Sequence, residues 1–348
     1  MTTDRIKRIG RTKLIKDTLW FSLSGTGVEF YFEGKRCTFV LRSDSIYKEE
    51  MHQARFAVYV NDTMVVDDVM NCEEKEVCAI DSDVETKCII RLIKLSESSD
   101  STMGIKDIVC DEAAVLSPTE KKELAIEFIG DSITCGYGVD GTLEDTYSTH
   151  NENVTKAYAY LTAQALGADY SMVSYSGHGI ISGYTDNGEK AAHQLVPPYY
   201  NKLGNSYGTF DGGMAPRDVE WDFAEFIPDI VVINLGTNDT SYARDNEERC
   251  QEYVTEYCKF LGVVREKNPQ AHILCVLGLM GQELCDYVEQ TVNRFKEETG
   301  DKRIASLKLS VQPDENGVVV DYHPTYTSHL QASEEVVSFI KKQFCNIL

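Results

Sequence analysis

Nowhere in the 348 residues is there a run of 18 apolar residues, so no segment is built to cross a bilayer as a helix. Positive charge is also scarce: 34 Lys and Arg against 56 Asp and Glu leave a formal net charge of −22. That excludes the basic face needed by a protein that tracks nucleic-acid phosphates, and it disfavours docking on an anionic membrane. No CxxC pair, no HExxH and no Walker lysine occur, so neither a metal ion nor an organic cofactor is expected. The eleven cysteines, at 37, 72, 78, 88, 110, 135, 250, 258, 275, 285 and 345, are odd in number and scattered. They read as reduced, mostly buried small hydrophobes. The basic first residues, MTTDRIKRIGRTKLIKD, lack the apolar core of a signal peptide, and a cytoplasmic location is the expectation.

What is present falls into two rhythms. Up to about residue 117 the chain beats in twos, as in GVEFYFEG (27–34), CTFVLRS (37–43), FAVYV (56–60) and KCIIRLIKL (87–95). These short aromatic and β-branched runs, separated by Gly, Asn-Asp or Asp-Ser turns, predict an all-β sandwich or jelly roll. After Ser117-Pro118 strands and helices alternate. LAIEFIG (124–130), MVSYS (172–176), IVVINLG (230–236) and HILCVLGL (272–279) read as buried strands, with a short one at 303–309. Helices are expected at 156–168, at 246–267, around Leu284–Phe295 and at 328–345, the last with Ser328 and Gln331 spaced as a capping box. This order predicts a parallel sheet with helices on both faces, an α/β layer behind the β-domain. Two domains are therefore expected, 1–118 and 119–348.

Ligands of open parallel sheets bind beyond the carboxyl ends of the strands, and there the chemically pointed residues collect. Gly130-Asp131-Ser132 follows the first strand and Ser176-Gly177-His178-Gly179 the second. Gly236-Thr237-Asn238-Asp239 follows the third, and Asp321-Tyr322-His323-Pro324 precedes the last helix. Asp-Ser after a strand is by itself more often a helix cap, and a lone glycine-rich loop is commonly only a loop. In this order, each at the end of the right element, they complete an acyl-transfer site. Ser132 is the nucleophile and His323 its base. The oxyanion donors are the N–H groups of Ser132 and Gly177 and the amide of Asn238. Gly136, Gly138 and Gly141 match G-x-G-x-x-G, but six residues separate the first from the strand end and no periodic helix follows, so a dinucleotide site is set aside. Trp221 and Tyr200 lie in loops that can rim the crevice, where an aromatic face stacks on a pyranose; a Trp there equally seals a core.

The GDS, glycine, GTND and D-x-H-P blocks resemble the SGNH (GDSL-type) hydrolases, whose namesake residues fall on Ser132, Gly177, Asn238 and His323. The β-rich leader, its WFSLSGTG segment (20–27), Ile-Lys-Leu-Ser-Glu (93–97) and DYHP narrow the likeness to carbohydrate esterase family 2. The resemblance implies a jelly-roll domain joined to a three-layer αβα SGNH domain. It also implies a cofactor-free serine esterase that removes O-acetyl groups from xylan-, mannan- or glucomannan-type glycans, often at the 6-position. Many SGNH hydrolases carry the triad acid three residues before the histidine, where this chain has Val320. Asp321 is the nearest acid, and either it or, as in some family-2 members, a main-chain carbonyl orients the imidazole. Two other readings compete: an SGNH lipase or lysophospholipase, and a carbohydrate-binding protein with a vestigial hydrolase domain. The expected partner is an acetylated carbohydrate, with no nucleic acid and no membrane; oligomeric state is not legible in the sequence.

Overall fold

Alternation of large apolar and polar residues over the first 118 positions becomes nine antiparallel strands in the computed structural model, which describes residues 3–344. They are β1 (Lys7–Ile9), β2 (Thr12–Ile15), β3 (Thr18–Phe21), β4 (Gly27–Ser43), β5 (Arg55–Val60), β6 (Thr63–Val69), β7 (Glu74–Lys94), β8 (Met103–Cys110) and β9 (Val115–Pro118). The sheet runs β2-β3-β8-β4-β7-β5-β6, with β1 and β9 also paired to β4. The two runs expected at 27–34 and 37–43 are one 17-residue strand. Register shifts at Gly34/Arg36 and Cys37/Thr38 interrupt its pairing with β7, itself 21 residues long. Such bulges bend a strand and tighten its twist, and the sheet curls as a half-barrel around one core. That core holds Phe21, Phe30, Phe32, Phe39, Phe56 and Leu92.

This β-rich unit also takes in 147–154 and 201–221, which a single cut at 118/119 assigns to the second domain. Polar burial ties in the first segment: the Glu97 N–H donates to Glu152 Oε2 (2.8 Å), and the Tyr147 hydroxyl donates to Asp100 (2.5 Å) and lies 2.9 Å from Glu152 Oε2. The buried Lys94 ammonium donates to the carbonyls of Ser96 and Glu97, each at 2.7 Å. Burial holds the Glu152 carboxyl well above its usual range and pushes the Lys94 ammonium down to about 8, against the pull of the surrounding carboxylates. The second segment is held by packing: Phe210 stacks on Trp20 at 4.6 Å between centroids, and Leu203 joins the same cluster.

The other unit comprises 122–146, 155–200 and 222–348. Its strands β10 (Ala125–Gly130), β11 (Asp169–Ser174), β12 (Ile230–Asn234), β13 (His272–Leu277) and β14 (Ile304–Lys308) form a wholly parallel sheet in the order β11-β10-β12-β13-β14. Between them run α1 (Ser132–Cys135), α2 (Tyr158–Ala165), α3 (Thr237–Ala243), α4 (Glu247–Lys267) and α5 (Cys285–Thr299), and α6 (Tyr326–Gln343) follows the last strand. Helix α2 packs with α6 and α4 with α5, a helical layer on each face. The first strand thus lies between the second and third, and the order reverses at β10, the position where open α/β sheets leave a crevice. Helix α6 starts two residues earlier than its sequence suggests. Thr325 is its cap, accepting from the Ser328 N–H, whereas the Ser328 and Gln331 side chains are both engaged by Asn316. No described helix is long and apolar enough to cross a membrane.

Candidate active site

The reversal at β10 brings three loops together by strand register alone. Gly130 is level with Ser174 on one side and Asn234 on the other, and the Tyr175 N–H donates to the Gly130 carbonyl. Asp131 leaves the strand as the cap of α1, its carboxylate accepting from the Ile133 N–H at 3.1 Å. Ser132 is the first residue of that helical turn, so its own N–H is among those with no intrahelical acceptor. The Ser132 side chain meets an imidazole carried 191 residues further along: His323 Nε2 lies 2.8 Å from Ser132 Oγ.

The imidazole is held in one tautomer. His323 Nδ1 faces the Val320 carbonyl at 3.1 Å, an acceptor, so the proton sits on Nδ1 and Nε2 is free to take one from serine. Asp321, expected as a catalytic orienter of His323, does not occupy that position. Asp321 and Tyr322 both take positive φ (50° and 63°), and this turn presents the preceding carbonyl to the ring. The Asp321 carboxylate accepts instead from the Tyr137 hydroxyl at 2.7 Å. Close packing fixes the turn from below, since a Cβ on Gly138 would lie 2.6 Å from the Val320 side chain.

Asn238 is buried at the start of α3, on a helix where the sequence suggested only a loop. Its Nδ2 donates to the His178 carbonyl at 2.9 Å and reaches 3.4 Å from the Asp131 carboxylate, which sets its amide among the loops after β10 and β11. Gly177, at φ 73°, makes the turn of the second loop in the left-handed region that suits glycine. The adjoining Asp239, not singled out by its sequence context, holds that loop. Its buried carboxylate accepts the N–H groups of Ile180 (3.0 Å), Ile181 (2.7 Å) and Ser182 (3.1 Å), while burial lifts it to about 6. His178 is buried with Nδ1 on the Ser176 carbonyl. His329 is fully buried and accepts the Tyr158 N–H.

Both aromatic residues expected on the sugar rim are corrected by burial. Tyr200 is 0 % exposed; its hydroxyl donates to Glu127 at 2.7 Å and accepts from Asn268, and its ring packs on Phe223 and Phe260. Trp221, 7 % exposed, lies in the β-rich unit with the Arg11 guanidinium 5.5 Å from its ring centre. Neither offers a face to a pyranose.

An alcohol on an unprotonated imidazole can carry out nucleophilic acyl transfer. Burial lowers the His323 pKa to about 4, partly opposed by the Val320 carbonyl and the Asp321 charge. The base is therefore neutral down to about pH 4. The acid limb of kcat/KM for an acetyl ester is expected near pH 4 rather than at the ordinary 6.5, leaving about nine-tenths of full activity at pH 5. A limb at 6 or above in the pH profile would contradict it. The linked stability has a definite sign. An unfolded imidazole takes up its proton near 6.5, so the unit loses stability as pH falls from 6.5 towards 4, and His329, pushed down by burial to about 3, adds to the loss. Asp239 works the other way between about 6 and 3.8.

Residues 128–335 match the GDSL-like Lipase/Acylhydrolase family, and residues 8–119 match the Carbohydrate esterase 2 N-terminal family. A cellulase/esterase, CelE, of Acetivibrio thermocellus is 29 % identical over 92 % of this chain, which spans 37 % of that protein. An acetylxylan esterase / glucomannan deacetylase of Cellvibrio japonicus is 30 % identical over 67 % of this chain and 65 % of its own length. Among solved structures, a family two carbohydrate esterase from Clostridium thermocellum in complex with cellohexaose superposes with a TM-score of 0.84. It is 28 % identical, with 99 % of this chain and 100 % of that one covered. The chain thus spans between about a third and two thirds of the length of these curated relatives.

Proposed function

The chain belongs to the GDSL-like lipase/acylhydrolase family, and from that membership and its site we propose that it is a serine carbohydrate esterase that removes O-acetyl groups from acetylated sugars or oligosaccharides. The observation that carries the reading is the 2.8 Å contact between Ser132 Oγ and His323 Nε2, with Nδ1 already committed to Val320. His323 accepts the Ser132 proton as the oxygen attacks the acetyl carbonyl. The charge that develops on the carbonyl oxygen is received by the N–H groups of Ser132 and Gly177 and the amide of Asn238. The imidazolium then protonates the departing sugar oxygen, releasing it as a hydroxyl, and water repeats the cycle on the acetyl-Ser132 intermediate. Presence of both Ser132 and His323 in contact argues against a vestigial hydrolase.

The matched β-domain and relatives named for acetylxylan and glucomannan support a glycan substrate of that class. Acetate release from a panel of acetylated xylo-, manno- and gluco-oligosaccharides, with product positions read by NMR, tests it, together with a p-nitrophenyl ester series of rising acyl length. Turnover is expected on at least one glycan class, with acetyl esters favoured at least about tenfold over octanoyl, since each misfit methylene costs on the order of 1–3 kcal/mol at a small acyl site. Preference for long acyl chains, with no acetate freed from any glycan, would give the site to a lipase.

A further inference from the structure

A direct triad acid supplies two things to its histidine, orientation and a charge that favours the imidazolium. The Val320 carbonyl supplies only the first: it is a neutral acceptor 3.1 Å from Nδ1. The second is available from a pair of residues on the ring's face. Tyr137 stacks on His323 with centroids 4.3 Å apart and planes 31° from parallel, and its hydroxyl donates to Asp321 Oδ2 at 2.7 Å. Both ends of this pair are fixed by the backbone that carries the nucleophile and the base. The Tyr137 N–H donates to the Ser132 carbonyl at 3.2 Å, five residues after the nucleophile, and Asp321 lies two before His323 in a left-handed conformation.

We propose that Asp321 and Tyr137 act as one positioning clamp that takes the place of the third triad member at one remove, Asp321 holding the phenol and the phenol's face holding the imidazole. This rests on the Ser132–His323 esterase reading and deepens it. A carboxylate accepting the phenol proton pushes electron density into the ring, and an electron-rich face attracts a cation stacked on it. His323 is a cation only while the oxyanion exists and until the leaving group takes the proton, so the attraction acts on the transition state more than on the resting enzyme. Asp321 also reaches the imidazole through its field, favouring the protonated form. The clamp further explains why a two-residue spacing between acid and histidine is serviceable, since the acid has no need to touch Nδ1.

The test compares Tyr137→Phe, Tyr137→Leu, Asp321→Asn and the double variant Tyr137→Phe/Asp321→Asn with the unmodified protein, using p-nitrophenyl acetate and an acetylated sugar. Each single change is expected to lower kcat by about 3- to 30-fold with KM within about twofold, the span of a cation–π contact in rate. Tyr137→Leu loses more than Tyr137→Phe because the ring goes with the hydroxyl. The double variant is no worse than its weaker single member, because both changes break one link. Asp321→Asn moves the acid limb of the pH profile, and the His323 proton resonance titration by NMR, to lower pH, a shift that a merely structural role does not produce. Unchanged kcat and titration in Asp321→Asn and Tyr137→Phe, or fully additive losses in the double variant, overturn the clamp while Ser132→Ala still abolishes turnover. Full turnover by Ser132→Ala instead removes the esterase reading and the clamp with it.

Discussion

Ser132→Ala is expected to lower kcat on acetyl esters by about 10⁴- to 10⁶-fold, the loss seen when the nucleophile of a serine hydrolase is removed. The rate that survives is the share the oxyanion donors supply to attack by water. Folding should be almost untouched. Ser132 is small and 6 % exposed, and the hydrogen bond recorded for its hydroxyl is to His323. Backbone bonds of the turn, with Thr134 and Cys135 donating to the Asp131 carbonyl, do not involve the side chain. A change of less than about 1 kcal/mol moves the melting temperature by no more than about 4 °C in a unit of this size. Acetate release and a thermal melt, run on the same preparation, check both halves. Undiminished turnover, or activity lost only in proportion to unfolding, would remove Ser132 from the mechanism.

Much of the site is readable in the sequence because each of its blocks sits where a parallel strand ends. A buried strand such as IVVIN declares itself through an unbroken apolar run, and Asn238 follows within four residues. The ends of β10, β11 and β12 then converge through register alone, so a linear reading suffices to gather Ser132, Gly177 and Asn238. His323 is different, since its placement depends on a turn in which Asp321 adopts a positive φ that an aspartate tolerates but does not announce. The turn made by these two positive-φ residues, Asp321 and Tyr322, presents the Val320 carbonyl rather than the carboxylate to Nδ1.

Burial was the harder quantity. Tyr200 and Trp221 stand near prolines and acids in stretches that read as surface loops, yet Tyr200 finds Glu127 and Asn268 for its hydroxyl and is sealed. An amphipathic aromatic is at home on either side of a surface, so its type alone does not choose. In the β-rich unit the same limit applies to charge. Glu97 and Glu152 look like solvated acids, and only the long-range return of 147–154 puts Glu152 on the Glu97 N–H. Asp239, in a block that names Asn238, is invisible for a similar reason: its three N–H partners lie 57 to 59 residues away.

Asn238→Ala is expected to lower kcat by about 10²- to 10³-fold with little change in KM, the usual cost of one oxyanion donor. The amide has a structural duty as well, donating to the His178 carbonyl, and leaving that buried acceptor unmet costs on the order of 1–3 kcal/mol. The two effects separate because the Gly177 loop has a second anchor. Asp239 holds Ile180, Ile181 and Ser182 independently, so the loop carrying the other donor stays in place when the amide is gone. Loss of rate through loosening of the loop would shrink on cooling or with a stabilising osmolyte, since both restore the folded population. Loss of a transition-state donor does not respond to either, because no shift in that population supplies the missing hydrogen bond. Measuring kcat with and without osmolyte, beside the melting temperature, therefore distinguishes them. A deficit that disappears when the variant is stabilised would make Asn238 a brace for His178 and leave the developing oxyanion to the backbone donors alone.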